Sequence, residues 1–147
     1  MSERLRLVVV GGLGAMPFAG VAWQVLQYLE GFRRLGHEVF YLEDTGGWPY
    51  DPDRDTVSDD ARPTIAYVAR LLERVGLGAA WAYRDVVEDR KVHGASEEQL
   101  QQRLGYADAL VNVSGVTVLR DEHLQVPVRM LTYCSFATEN SPADERM

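Results

Sequence analysis

Apolar positions come in short bursts separated by two different spacings. Leu5 to Val10 is a short apolar run rich in β-branched residues, the pattern of a strand buried on both faces of a parallel sheet. A glycine-rich turn follows, Gly11-Gly12-Leu13-Gly14. Val21, Val25, Leu26, Leu29 and Phe32 then recur at helical spacing with polar residues between them. Gly36 marks the stop of that helix, with Arg33 and Arg34 in its last turn, where positive charge suits the dipole. HEVFYL, His37 to Leu42, reads as a second strand ending on Glu43 and Asp44. Strand, glycine turn, helix, glycine, strand is one βαβ unit with a right-handed crossover.

Residues 45–62, TGGWPYDPDRDTVSDDAR, break the pattern. They are rich in Gly, Pro and Asp without apolar period and read as one long functional or mobile loop. A second helix begins near Pro63, with Ile65, Val68, Ala69, Leu72 and Val75 as its inward face and Gly76 at its end. AWAYRDVV, within 79–87, reads as a short third strand entering a loop. SEEQ at 96–99 has capping-box spacing and opens a third helix that stops at Gly105. ADALVNV is a fourth strand, leading into Ser114 and Gly115. Asp121 to Leu124 reads as a helical turn, and VPVRMLTY as a fifth strand.

This alternation predicts an α/β chain: an open parallel sheet of about five strands in the order 3-2-1-4-5, with helices on both faces, Rossmann-like. The domain is expected over 1–134, with 135–147 a polar, disordered tail. In that order strands one and four are neighbours at the topological switch point, where ligands of such sheets bind. Gly11, Gly12, Gly14, Glu43, Asp44, Trp48, Ser114 and Gly115 are then expected to line one ligand-binding edge.

Composition narrows the partners. The chain has 147 residues, a net charge of -7 and scattered basic residues, which argues against nucleic acid. A single cysteine, Cys134, fits a reducing cytoplasm. No apolar run is long enough for a transmembrane helix.

The glycine turn departs from the dinucleotide fingerprint. Gly12 and Gly14 fill two of the positions of G-x-G-x-x-G, but Pro17 stands at the third. No lysine follows to make a P-loop. Ser114-Gly115 lacks the nucleophile elbow. The histidines, His37, His93 and His123, show no zinc spacing, and the acidic run 51–60 lacks the glycine and spacing of a calcium loop, so no metal site is expected. Trp48 and Tyr50 have two readings: stacking on the apolar face of a sugar ring beside carboxylates, or pinning the loop to the domain.

The segment LRLVVVGGLGAMPFAGVAWQVLQYLEGFRRLGHEVFYLED resembles the N-terminal βαβ of two-domain GT-B glycosyltransferases, with Gly11 to Gly14 as the glycine-rich loop and Gly36-His37-Glu38-Val39 as the turn into strand two. ADALVNVSG is similar to the strand-four segment of that family, and the resemblance spans about 5–133. It implies an acceptor-binding half of a sugar transferase that takes a small-molecule or glycan acceptor. The nucleotide-sugar donor belongs to a C-terminal domain, so no cofactor is expected on this chain, which is expected to be a fragment inactive alone. No catalytic base is assigned, although Glu43 and Asp44 are better placed than His37. Two other readings stand beside it: a small Rossmann-type nucleotide-binding domain, and an interaction module without small ligand that self-associates through an uncovered sheet edge.

Overall fold

The computed structural model describes residues 3–133. The expected tail, 135–147, lies outside them. In chain order the elements are β1 (Arg6–Val10), α1 (Ala19–Arg34), β2 (Glu38–Glu43), β3 (Tyr50–Asp51), β4 (Thr56–Val57), α2 (Arg62–Arg74), β5 (Trp81–Asp85), β6 (Lys91–Gly94), α3 (Glu97–Tyr106), β7 (Ala109–Val113), α4 (Asp121–Leu124) and β8 (Val128–Thr132).

The main sheet is α/β and mostly parallel, but it has six strands in the order β6-β5-β2-β1-β7-β8. Count and order both differ from the expectation. The third expected strand is not an edge, because β6 folds back antiparallel on it, pairing Tyr83 with His93 and Asp85 with Lys91. The hairpin carries no local cue in the sequence, because its turn lacks the usual signal. Asp89 and Arg90 both take positive φ, 49° and 64°, and the Lys91 N–H donates to Glu88 C=O at 3.0 Å. That is the geometry for which Asn-Gly is the common sequence.

Side chains of each central strand alternate between two cores. Val9, Tyr41, Tyr83 and Val111 face α1 and α2, where Val25, Leu29, Val68 and Leu72 cover them. Val8, Val10, Phe40, Leu42 and Leu110 face α3, against Leu100, Leu104 and Val126. Burial on both faces explains the apolar run Leu7 to Val10 of β1. The Ser96 hydroxyl accepts from Gln99 N–H and Gln99 returns the bond to the Ser96 N–H, completing the capping box of α3. That helix runs through Gly105 to Tyr106, since burial of Leu100 and Leu104 outweighs the cost of about 1 kcal/mol for one helical glycine.

Two segments depart further from the pattern. Residues 45–62 contain the β3–β4 hairpin, with Tyr50 opposite Val57. At the other edge β8 is parallel to β7, yet Val128, Met130 and Leu131 are all more than half exposed. No helix among the described residues is long and apolar enough to cross a membrane.

Candidate functional site

The carboxyl ends of β1, β2, β5 and β7 meet at one edge of the sheet. There the glycine turn runs from β1 towards α1, and the amides of Leu13 and Gly14 are already engaged. Gly14 N–H donates to both oxygens of Glu43, at 2.8 and 3.0 Å. Leu13 N–H donates to the Tyr41 hydroxyl at 3.1 Å, and that hydroxyl donates to Glu43 Oε1 at 3.0 Å. A Cβ on Gly14 would stand 2.6 Å from Glu43 Oε2 and closer still to the Thr64 methyl. Glycine is required here by close approach. The φ of Gly14 is not positive.

Glu43 is 1 % exposed. Burial pushes its carboxyl up to about 7, against the Gly14 amide, the Tyr41 hydroxyl and the Ala15 amide, which favour the anion. Burial likewise raises the Tyr41 hydroxyl, helped by the neighbouring Glu43. An internal carboxylate thus fills the place at which a glycine turn would seat a phosphate.

Asp44 turns the opposite way and enters a dense ionic network. Arg84 Nε stands 3.4 Å from its Oδ2, His123 Nε2 stands 3.2 Å away, and Arg120 closes on the same oxygen. Arg84, itself 7 % exposed in its side chain, forks to Glu97 at 2.9 Å and Glu122 at 3.0 Å. Burial works against ionisation of Asp44, but His123, Arg120 and Arg84 more than offset it and hold the carboxyl below its ordinary value. Although Asp44, Glu122 and His123 carry metal-type donors, they do not suit a dication. His123 Nδ1 accepts from the Arg120 N–H at 3.0 Å, which leaves the proton on Nε2, the only nitrogen facing the carboxylates. Three arginines, 84, 90 and 120, supply the countercharge instead.

The other expected site residues distribute over separate hollows. Gly12 and Ser114 share a cleft of about 290 Å³ with Met16, Gln24, Val113 and Val116, at the β1–β7 switch point. Ser114 lies on its rim, in a tight turn with Gly115 at φ of 56° and 64°, and the Ser114 hydroxyl contacts Gln24 Oε1 at 3.2 Å. Gly11 lies beneath, hemmed in by Tyr41 and Val25. Gly14 instead faces a second cleft of about 230 Å³, between the glycine turn, the β3–β4 hairpin and the start of α2. Its walls include Tyr50, Asp51, Asp60, Thr64, Tyr67 and Arg70. Trp48, 53 % exposed, belongs to a third, shallow hollow with Arg54 and Asp59. Among the described residues one shared crevice does not form, because Glu43 is consumed by the turn and Asp44 by the arginines.

Tyr50 does the pinning: its ring lies 5.8 Å from that of Phe18, and its hydroxyl bonds Asp55. Arg62 at 2.8 Å holds the Asp60 carboxyl at about 2. The residues that sequence reasoning missed are Tyr67 and Arg70 in the second cleft, and Arg84, Arg120 and His123 in the network. Arg84 carried a readable signal, since an arginine inside an apolar strand demands a buried partner.

Compared with protein-family models, with curated proteins and with solved structures, the chain finds no match in any of the three.

Proposed function

We propose that this chain binds a sugar acceptor and forms the acceptor-side half of a GT-B-type glycosyltransferase. The observation that carries the reading is the cleft between Gly14 and α2. Its two tyrosines, Thr64 and Ser58 hydroxyls, Asp51 and Asp60 carboxylates and Arg70 match the mixed apolar and hydroxyl surface of a saccharide. The closure of the glycine turn by Glu43 supports it from the other side. With the Gly14 amide spent on Glu43 and the Leu13 amide on Tyr41, the turn suits an uncharged acceptor better than a nucleotide phosphate. Sugar transfer then requires a donor-binding domain supplied from beyond this chain, and Glu43, enclosed as it is, does not serve as the base.

Saturation-transfer NMR on the purified chain tests this with mono- and disaccharides, NAD and UDP. Saccharide signals that weaken in Tyr67→Ala, with none from NAD or UDP, are expected, together with no turnover of nucleotide-sugar by the chain alone. Saturable NAD or UDP binding without saccharide binding would favour the nucleotide-binding reading.

The interaction reading has an observation of its own. Among the described residues Val128, Met130, Leu131 and Tyr133 leave the β8 edge apolar and uncovered, where parallel strands are ordinarily shielded on both faces. Sedimentation over a range of concentrations measures self-association there.

A further inference from the structure

The β5–β6 hairpin gathers a second set of metal-type donors. Asp85 ends β5, Glu88 precedes the turn and His93 lies on β6, with one donor atom from each within 4.8 Å of the others. The strand pairing explains why they meet. Tyr83 faces His93 across the ladder, so Asp85, two residues on and on the same face, sits diagonally opposite the imidazole. The tight turn through Asp89 and Arg90 folds Glu88 back towards them.

These donors have spare capacity. The Asp85 side chain is 3 % exposed, and its Oδ1 accepts from the Val87 N–H at 2.8 Å. Its Oδ2 stands 3.4 Å from His93 Nε2. Among the described residues no lysine or arginine pairs with this carboxylate. His93 Nε2 is a buried atom without a hydrogen-bond partner. No hydrogen bond involves His93 Nδ1 among the described residues, so the proton is free to reside there and leave the Nε2 lone pair inward. Glu88 is half exposed and held only by the surface pair with Lys91 at 2.9 Å, which is easily exchanged.

The separation is also the right one. In a tetrahedron with bonds of about 2.0–2.2 Å, ligand atoms lie about 3.3–3.6 Å apart. The Oδ2 to Nε2 distance of 3.4 Å is such an edge, and it is long for a hydrogen bond. We propose that Asp85, Glu88 and His93 bind one zinc-type dication, with water in the fourth position, clipping the β5–β6 hairpin at the edge of the sheet. One nitrogen and two carboxylate oxygens favour zinc over calcium or magnesium, which take all-oxygen shells.

The test uses the full chain, stripped with EDTA, dialysed and titrated calorimetrically with zinc chloride. One equivalent is expected to bind. His93→Gln and Glu88→Gln each weaken binding by about tenfold or more, while Glu122→Gln, in the arginine-filled triad, leaves it unchanged. Cobalt substitution is expected to give an intense tetrahedral visible spectrum that His93→Gln abolishes. Circular dichroism checks that each variant is folded, and Glu88, exposed on a turn, keeps the test sound should His93→Gln unfold. Absence of stoichiometric binding, or wild-type affinity in both His93→Gln and Glu88→Gln, overturns the proposal and leaves Asp85 and His93 an unmetallated pair.

Discussion

Two triads of one aspartate, one glutamate and one histidine stand at the same end of the sheet. Arg84 and Asp85 are consecutive in β5 and point to opposite faces, and each anchors one of them. Around Asp44, Glu122 and His123, three arginines supply positive charge and a backbone amide fixes the imidazole tautomer. Around Asp85, Glu88 and His93 there is one exposed lysine, and among the described residues no amide fixes the imidazole tautomer. Donor identity is the same in both. What separates them is who already neutralises the carboxylates and which nitrogen is free. A composition rule for metal sites scores the two alike, whereas charge and tautomer distinguish them.

The sharpest way to test that contrast is to remove each aspartate. Asp44→Ala strips the carboxylate from Arg84 and Arg120 and is expected to cost about 3–5 kcal/mol in urea denaturation, the range for breaking a buried ion pair. Asp85→Ala, measured without metal, loses chiefly the Val87 amide bond, about 1 kcal/mol. Equal losses would dissolve the distinction. Acid has the same direction at Asp44: its folded carboxyl titrates below the usual value, so the stability it contributes is present above the unfolded pKa and lost as pH falls through the folded one.

Glu43 extends the comparison to a third carboxylate, neutralised by neither arginine nor metal. Its folded value of about 7 lies above the ordinary 4.5, so the sign reverses. The contribution is fully present below about pH 4.5 and lost as pH rises through about 7. Converted at 1.36 kcal/mol per unit, that loss is on the order of 3 kcal/mol. Glu43→Gln cannot ionise, so its stability relative to wild type is expected to rise by that amount between pH 4.5 and 8. A flat difference would mean that the turn amides hold Glu43 ionised throughout. Next in size is zinc itself. At a hundredfold excess over the dissociation constant, a ligand adds about 2.7 kcal/mol to the state that binds it. Wild type is expected to melt several degrees higher with zinc, while His93→Gln does not shift.

Much of this edge was readable from spacing alone. The apolar run of β1, the helical repeat of α1 and the SEEQ box are local signals, and each produced the element expected of it. The β5–β6 hairpin was not readable, because its turn uses Asp89 and Arg90 where Asn-Gly is the usual cue. Nor was the division of the site. Glu43 and Asp44 are adjacent in sequence, and strand alternation sends them to opposite faces, one to the glycine turn and the other to the arginines. Trp48 and Gly14 followed different walls once β3 and β4 paired. Long-range partners such as Arg120 have no local signature.

The smallest expected effect locates the boundary of the saturated triad. Glu97 accepts two hydrogen bonds from Arg84, yet its side chain is 55 % exposed, so water competes for both ions. Its carboxyl is lowered chiefly by the Arg84 hydrogen bond. Exposure discounts that pairing, and Glu97→Gln keeps an acceptor oxygen for the guanidinium. The expected loss is within about 1 kcal/mol and shrinks further in high salt, because screening acts on exposed charge. The Asp44→Ala loss is expected to persist at the same salt, since both partners are buried. If Glu97→Gln instead cost as much as Asp44→Ala, Arg84 would depend on its rim partner as much as on its buried one. The contrast between the triads would then rest on the number of carboxylates around one arginine rather than on burial.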